Sequence, residues 1–594
     1  MAKSGYKRLY IRFMNWRSSL IGDRGFIILL SVFVGILAGF SALLLKTLIH
    51  FFESRAGDLP YYMFFLLPSI GITLVVLLYK NVFTKAAEFH GIYGVLNAIR
   101  KRNAFIHYSL MYVQLLTGAL TISFGGSSGL ESPTVVTGSA IGSNASRFFR
   151  LNYRYKTLFI GCGTAATISA IFNAPVAGVI FATEVILPQF SATVFIPILI
   201  SSAIGSFFSE LILGDSVLFR ITGVSEIAFK EIPLIFALGI FAGFVSLYFT
   251  KVFKFSKWIF AAIKKTWKRV ALGSVILGAL IFLFPVLFGE GYIGIRQIID
   301  KDAGFVYSQS VFGGMDKSSW TIILLFGILI LVKPIASSVT INSGGEGGLF
   351  APSFVTGGFV GYFFYHIALN FLPQSQVLNP VNYVLLGMAG VLAGVMHAPL
   401  TAIFLVAEVT ESYDLLIALM IVSAIAFFTK YYFDRVAVFF FDLKRQGLEL
   451  QDSRHEFISL NNIKVRGLVK KNISVLNEND SAEKISSLFM REGNSMIPVV
   501  DDENKLTGLF ENEGIREALA LNENDKKIKS VKDIMSEVVV SIEMREPMDL
   551  VLKKFDIYEV EILPVVSNGK FIGIISKNDV LSSYREELNR SSEF

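Results

Sequence analysis

The chain has 594 residues, of which 53% are hydrophobic and only 17% charged, and its mean hydropathy is +0.58. Those values exclude a wholly soluble protein and mark a polytopic membrane protein. The net charge of +7 sits in juxtamembrane basic segments and calls for no nucleic-acid partner, and a single cysteine excludes internal disulfides and cysteine-rich metal sites.

The basic start "MAKSGYKRLYIRFMNWR" precedes the apolar run "GFIILLSVFVGILAGFSALLLKTLIHFF". The run is too long for a signal-peptide core and lacks a small-residue cleavage site, which predicts a retained first span. The further runs "YYMFFLLPSIGITLVVLLY", "IFALGIFAGFVSLYF" and "TIILLFGILILV" approach the ~20 apolar residues that a membrane helix needs. Others are shorter and broken by Gly or Pro. The basic start and the basic segment Lys251–Arg269 both belong on the cytoplasmic side by the positive-inside rule. Cys162, in "LFIGCGTAAT", reads as a small buried residue. After about Asp434 the composition turns charged, with strand-length apolar runs and no further span, so the remainder reads as a soluble α/β domain. Within it "NSMIPVVDDENKLTGLFENEGI" is echoed by "VEILPVVSNGKFIGIISKNDV", each a strand with Pro-Val-Val, a turn, and a second strand leading to a helix.

The membrane part also repeats. "GGSSGLESP", residues 125–133, returns as "GGEGGLFAP", residues 344–352, with Phe350 where the first copy has Glu131. "FNAPVAGVIFATEV" returns as "MHAPLTAIFLVAEV", each placing a glutamate, Glu184 or Glu408, nine residues after its proline. Two repeats of this kind commonly build a substrate site at their interface from helices that start inside the bilayer. The glycines permit close backbone approach and the prolines suit a first helical turn, so both glycine motifs predict helix starts. Two such N-termini converging would offer N–H groups and positive dipole ends to an anion without a buried Lys or Arg. Glu131, an ionisable group at membrane depth, is by default functional. Its carboxylate could occupy the anion position and act as a gate.

The pattern resembles the CLC family of chloride channels and proton/chloride antiporters with C-terminal tandem CBS domains. The resemblance implies a polytopic all-α membrane domain of two inverted repeats with about eighteen helices, several re-entrant or broken, plus a soluble α/β tandem CBS domain. The expected organisation is a cytoplasmic N-terminus at 1–24, a transport domain at 25–445, a linker at 446–464 and CBS repeats at 465–524 and 525–590. "GLESP" is similar to the family's gating segment, which makes Glu131 the gating glutamate, with Gly129 and Leu130 beside the anion. "GLFAP" is similar to the segment whose N–H groups, here of Leu349 and Phe350, hold the central anion. "FHGIYG" loosely matches a third anion-contacting segment and puts His90 there. Aligning "VAVFFFDLKRQG" puts Phe439 where the family brings a tyrosine hydroxyl to the anion, so that donor is lost. In the family, a weakened central site goes with poorer proton coupling.

Val185, directly after Glu184, stands where many antiporters carry an internal proton-passing glutamate. A valine carries no proton, which favours passive, channel-like conduction over a proton-coupled antiporter. Glu184 and Glu408 read as packing or interfacial residues, the alternative for Glu184 being a proton role through water in place of the missing glutamate. The CBS pair implies an adenine nucleotide as a regulatory ligand, with Asp579 in "GIISKNDV" at the ribose-contacting place and Gly514 at the matching place of the first repeat; a purely structural pair bracing an oligomer remains open. No cofactor is required and no metal site is expected. The resemblance further implies a homodimer in lipid at a plasma or bacterial inner membrane, its N-terminus and CBS domains cytoplasmic, with chloride or similar anions and possible protons as partners. A CBS-regulated cation transporter would require clustered intramembrane carboxylates, and Glu131 stands nearly alone. An intramembrane enzyme would require a nucleophile with its base, or metal ligands, and no such constellation is present.

Overall fold

The structure, a computed structural model, describes residues 22–56, 63–86, 89, 91–101, 103–187, 192–213, 231–300, 306, 310, 313, 319–372, 379–411, 413–441, 463–471, 473–481, 484, 488, 496–511, 530–538, 540–558 and 560–592. The chain divides into two units, Met1–Glu449 and Leu450–Phe594.

The first unit is helical among its described residues. Its helices are α1 (Asp23–Ala56), α2 (Met63–Asn81), α3 (Gly91–Lys101), α4 (Leu110–Ser123), α5 (Glu131–Phe148), α6 (Tyr153–Phe172), α7 (Pro175–Phe181), α8 (Ala192–Leu213), α9 (Ile232–Ala262), α10 (Thr266–Leu283), α11 (Tyr292–Ile299), α12 (Ser319–Ser343), α13 (Phe350–Phe371), α14 (Pro380–Met396), α15 (Pro399–Val409) and α16 (Leu416–Phe433). Eight stretches among them are long and apolar enough to cross a membrane. Others are shorter, such as α4, α14 and α15, as the interrupted apolar runs suggest.

Both glycine motifs end in helix starts. Helix α5 begins at Glu131 and α13 at Phe350, with Pro133 and Pro352 in the first turn, where a proline sacrifices little because those N–H groups have no intrahelical acceptor. Each helix starts in the interior: every residue from Glu131 to Ser143 and from Phe350 to Gly361 is buried. Helix α5 packs on α6, and α13 on α14, through matching glycines. A methyl group at Gly138 would collide with the carbonyl oxygen of Gly163, and one at Gly163 with that of Gly138. In the second half Gly357 and Gly387 stand in the same mutual contact. Small residues here let backbones touch, giving dispersion contacts that bulkier side chains would prevent.

The Ala-Pro segments are equally symmetric. Asn173 (φ 52°) and His397 (φ 55°) cap α6 and α14 in the left-handed region, and Pro175 and Pro399 then open α7 and α15. The left-handed cap stops one helix and the proline starts the next. Helix α7 runs into one π-helical turn, Ala182–Ile186, which the sequence pattern does not announce.

The second unit contains α17 (Val465–Leu468), β1 (Leu476–Asn477), β2 (Met496–Val500), β3 (Leu506–Glu511), β4 (Ile542–Glu543), α18 (Met548–Ile557), β5 (Ile562–Ser567), β6 (Lys570–Ser576) and α19 (Lys577–Ser592). Its two sheets have the same build: β1 pairs parallel with β2 and β4 with β5, while β2 pairs antiparallel with β3 and β5 with β6. The register agrees as well, Leu476 opposite Val499 and Ile542 opposite Val565. Pro498 and Pro564 lie in central strands, an unusual place for a residue with no N–H, and each strand is irregular just beyond its proline, between Val499 and Val500 and between Val565 and Val566. Met496, Val500, Leu509, Phe571 and Ile574 form one buried cluster shared by the two repeats, and Phe571 N–H donates to Asn504 O at 2.9 Å. The repeats fold as a pair.

Candidate functional site

The two glycine motifs meet. Gly129 N–H donates to Gly348 O at 2.9 Å and Gly348 N–H to Gly129 O at 2.8 Å, a one-rung antiparallel bridge between segments more than two hundred residues apart. Each flank is held by the other half: Thr340 Oγ1 accepts Ser127 N–H at 3.1 Å, and Thr121 Oγ1 accepts Glu346 N–H at 2.8 Å. The bridge fixes the N-termini of α5 and α13 against each other, where their N–H groups and positive dipole ends add.

Glu131, fully buried, places its carboxylate there. Tyr292 Oη donates to Oε1 at 2.8 Å, and Ala351 N–H, in the first turn of α13, points at Oε2 from 3.4 Å. A carboxylate from one repeat thus lies on the helix N-terminus of the other. Phe350, in the equivalent position of the second repeat, instead packs its ring near Phe172 and Phe181, with centroids 5.7 and 5.9 Å away. One copy carries charge and the other carries packing.

Of the remaining expected site residues, Gly129 has its N–H engaged by the bridge, and Leu130 N–H donates to Glu290 Oε1 at 3.0 Å, so neither amide is open. Leu349 is the residue preceding α13 and is buried beside the bridge. A cavity of about 510 Å³ reaches this point, lined by Gly91, Tyr93, Ser132, Gly348, Leu349 and Phe439. Phe439, which brings no hydroxyl, is one of the lining residues. Gly91 (φ 47°) approaches so closely that a methyl group there would lie 2.8 Å from Ser132 Oγ. The third segment thus converges on the same point, while His90 itself lies outside the described residues, as does Gly514. Lys80, Lys257 and Arg269 also line the cavity, the last two from the basic segment singled out by charge, and their field favours anions.

The Ala-Pro glutamates have a definite place. Glu184 accepts Leu400 N–H at 3.2 Å, Thr401 N–H at 2.8 Å and the Thr401 hydroxyl at 2.7 Å, all at the start of α15. Glu408 accepts Val176 N–H at 2.9 Å and Ala177 N–H at 2.7 Å at the start of α7. Each caps the helix of the opposite repeat. Val185 is buried in the π-helical turn.

The expectation that Glu131 stands nearly alone is corrected. Glu290 and Glu346 are also buried, and so is Lys333, whose Nζ donates to Ser127 Oγ at 2.9 Å. Glu290 and Tyr292 belong to a third glycine-rich break, "FGEGYIG", which sequence reasoning passed over; a carboxylate and a tyrosine in such a break were the available signal. These carboxylates accept bonds from separate N–H and O–H donors, and among the described residues no group of three or more His, Cys, Asp or Glu is placed to hold a metal ion. Tyr79 Oη donates to Glu346 Oε2 at 2.7 Å and Gln114 Nε2 to Tyr79 Oη at 3.1 Å.

In the second unit Asp579 accepts the Ser576 hydroxyl at 2.6 Å and pairs with Lys470 Nζ at 2.8 Å. The Lys470 hydrogen bond holds its carboxyl below the usual aspartate range. Both contacts fall on Oδ2 of Asp579, and the Lys470 side chain is exposed.

Two repeats that interlock at paired helix N-termini around a buried carboxylate define a membrane transport protein with a repeat-interface site. Residues 71–431 match the voltage gated chloride channel family, and residues 465–521 and 531–586 match the CBS domain. The chain belongs to this chloride channel family, whose members are channels and transporters rather than enzymes, and it carries two CBS domains. It is similar to chloride channel protein CLC-f of Arabidopsis thaliana, 28% identical over 56% of this chain and 44% of that protein. It is also similar to the H(+)/Cl(-) exchange transporter ClcA of Vibrio cholerae, 26% identical over 67% of this chain and 84% of the relative. The fold matches the crystal structure of a slow cyanobacterial Cl-/H+ antiporter with a TM-score of 0.62 and 21% identity, over 73% of this chain and all of the other.

Proposed function

We propose that the chain moves chloride or a similar small anion across the membrane along a path gated by Glu131, by passive conduction. One observation carries this reading: the Glu131 carboxylate lies at the first turn of α13, on a helix N-terminus of the kind that binds anions. The carboxylate is the protein's own stand-in for the permeant ion. When it is protonated or swings away, the Ala351 N–H and the positive end of α13 are left to an anion, with Leu349 and Phe350 beside it. His90 is taken as a further anion contact, while Phe439 lines the cavity and offers no hydroxyl, and weak side-chain donation suits an ion that must also leave.

Val185 supports the passive reading, because a buried valine passes no proton. Proton-coupled exchange, the activity in the name of the Vibrio relative, would need a route around it. The same reading takes the protein as a homodimer in lipid, with the N-terminus and the CBS pair cytoplasmic, and takes Asp579 as the ribose contact of a regulatory adenine nucleotide. The test is anion efflux from proteoliposomes as a function of pH. Glu131→Gln, which mimics the protonated gate, should keep the flux and weaken its pH dependence; an unchanged pH profile would remove Glu131 from the gate.

A further inference from the structure

Glu346 occupies the place in the second glycine motif that Ser127 holds in the first. The two positions are built alike, since each backbone N–H is accepted by the threonine of the opposite half. Their side chains are not matched alike. Ser127 meets the ammonium of Lys333, whereas the residue equivalent to Lys333 in the first repeat is Gln114, a neutral amide whose Nε2 donates to the Tyr79 hydroxyl that in turn donates to Glu346. The charge therefore sits in one repeat as a cation beside a hydroxyl, and in the other as a carboxylate beside neutral groups.

An uncompensated carboxylate in a protein interior is costly to keep charged. Glu346 lines the same cavity as Ser132, Gly348 and Leu349, two residues before the bridge that seats α13. The groups facing it are Tyr79 from α2 and Gln114 and Thr121 from α4; Tyr93 from α3, Lys80 from α2, Lys257 from α9 and Arg269 from α10 line the cavity around it. The hydrogen bonds of Glu346 are instead to neutral groups, the Tyr79 and Thr121 hydroxyls.

We propose that Glu346 controls anion entry from this cavity: as a carboxylate it opposes the anion just short of the α13 N-terminus, and on taking a proton from cavity water it admits the anion. The proton goes to a Glu346 oxygen and returns to water, with Tyr79 remaining a donor throughout. This inference rests on the anion-transport reading and is separable from it. It assigns pH sensitivity from the cavity face to a residue other than the gate.

The experiment uses the full-length protein in planar bilayers, with the pH of each face changed separately and chloride as the probe anion. In the wild type, anion current should rise several-fold as the cavity-face pH falls. Glu346→Gln and Glu346→Ser should both conduct at the high level and lose that dependence, while Glu131→Gln should retain it. Persistence of the wild-type dependence in both Glu346 variants would overturn the proposal, as would its disappearance in Glu131→Gln with Glu346 intact. Absence of any wild-type anion current would contradict the transport reading instead. Infrared difference spectra across the same pH range give a second readout: a protonated-carboxyl band present in the wild type should vanish in Glu346→Gln, and an unchanged band would count against Glu346.

Discussion

At the scale of single residues, the carboxylates of this protein divide by what meets them. Glu184 and Glu408 are each held by two backbone N–H groups of the opposite repeat's helix, an arrangement that completes helix ends. Glu184→Ala or Glu408→Ala should therefore lower thermal stability in detergent by roughly 1 kcal/mol, the cost of leaving partly buried helix-end donors without their acceptor. Ion flux per folded protein should be little changed; a selective loss of transport at unchanged stability would mark the residue as part of the path instead. The sequence made Glu131, Glu184 and Glu408 visible because each sits in a repeated motif. Tyr292 and Glu290 escaped because their partners lie some 160 positions away, in a segment that repeats nothing. Glu346 was in plain view but was read as one more letter of a glycine motif, since only the comparison of Lys333 with Gln114 exposes its unmatched charge.

At the scale of elements, the starts of α5, α13, α7 and α15 were legible because glycine, proline and the following apolar run have direct backbone meanings. What was not legible is how those starts are paired: the Gly129–Gly348 bridge and the crossed glutamate caps are contacts between halves, and no local pattern encodes them. The π-helical turn at Ala182–Ile186 was equally hidden, being a choice of hydrogen-bond partner within an unremarkable apolar stretch. The glycine contacts between α5 and α6 and between α13 and α14 make a symmetric prediction. Gly138→Leu and Gly357→Leu should each prevent the backbones from touching and abolish monodisperse protein in size-exclusion chromatography. Normal folding of either variant would show that the contact is slack.

At the scale of the whole molecule, composition alone separated an apolar transport unit from a charged α/β tail, and the duplicated Pro-Val-Val strands announced the pair of CBS domains. Nucleotide binding is a property of that pair to be tested by itself. AMP, ADP or ATP should raise the melting temperature of the full-length protein, and Asp579→Ala should remove the rise. Because Lys470 holds Asp579 below the usual aspartate range, its carboxylate is fully formed from about pH 5 to 8, and the nucleotide effect should be flat there, fading only as acid protonates it. The larger question is whether anion movement is tied to protons. A chloride electrode and a pH electrode in the same proteoliposome suspension answer it most directly: the account predicts rapid chloride efflux with no accompanying proton movement, and proton uptake in fixed ratio to chloride, with uphill pumping against a proton gradient, would contradict it.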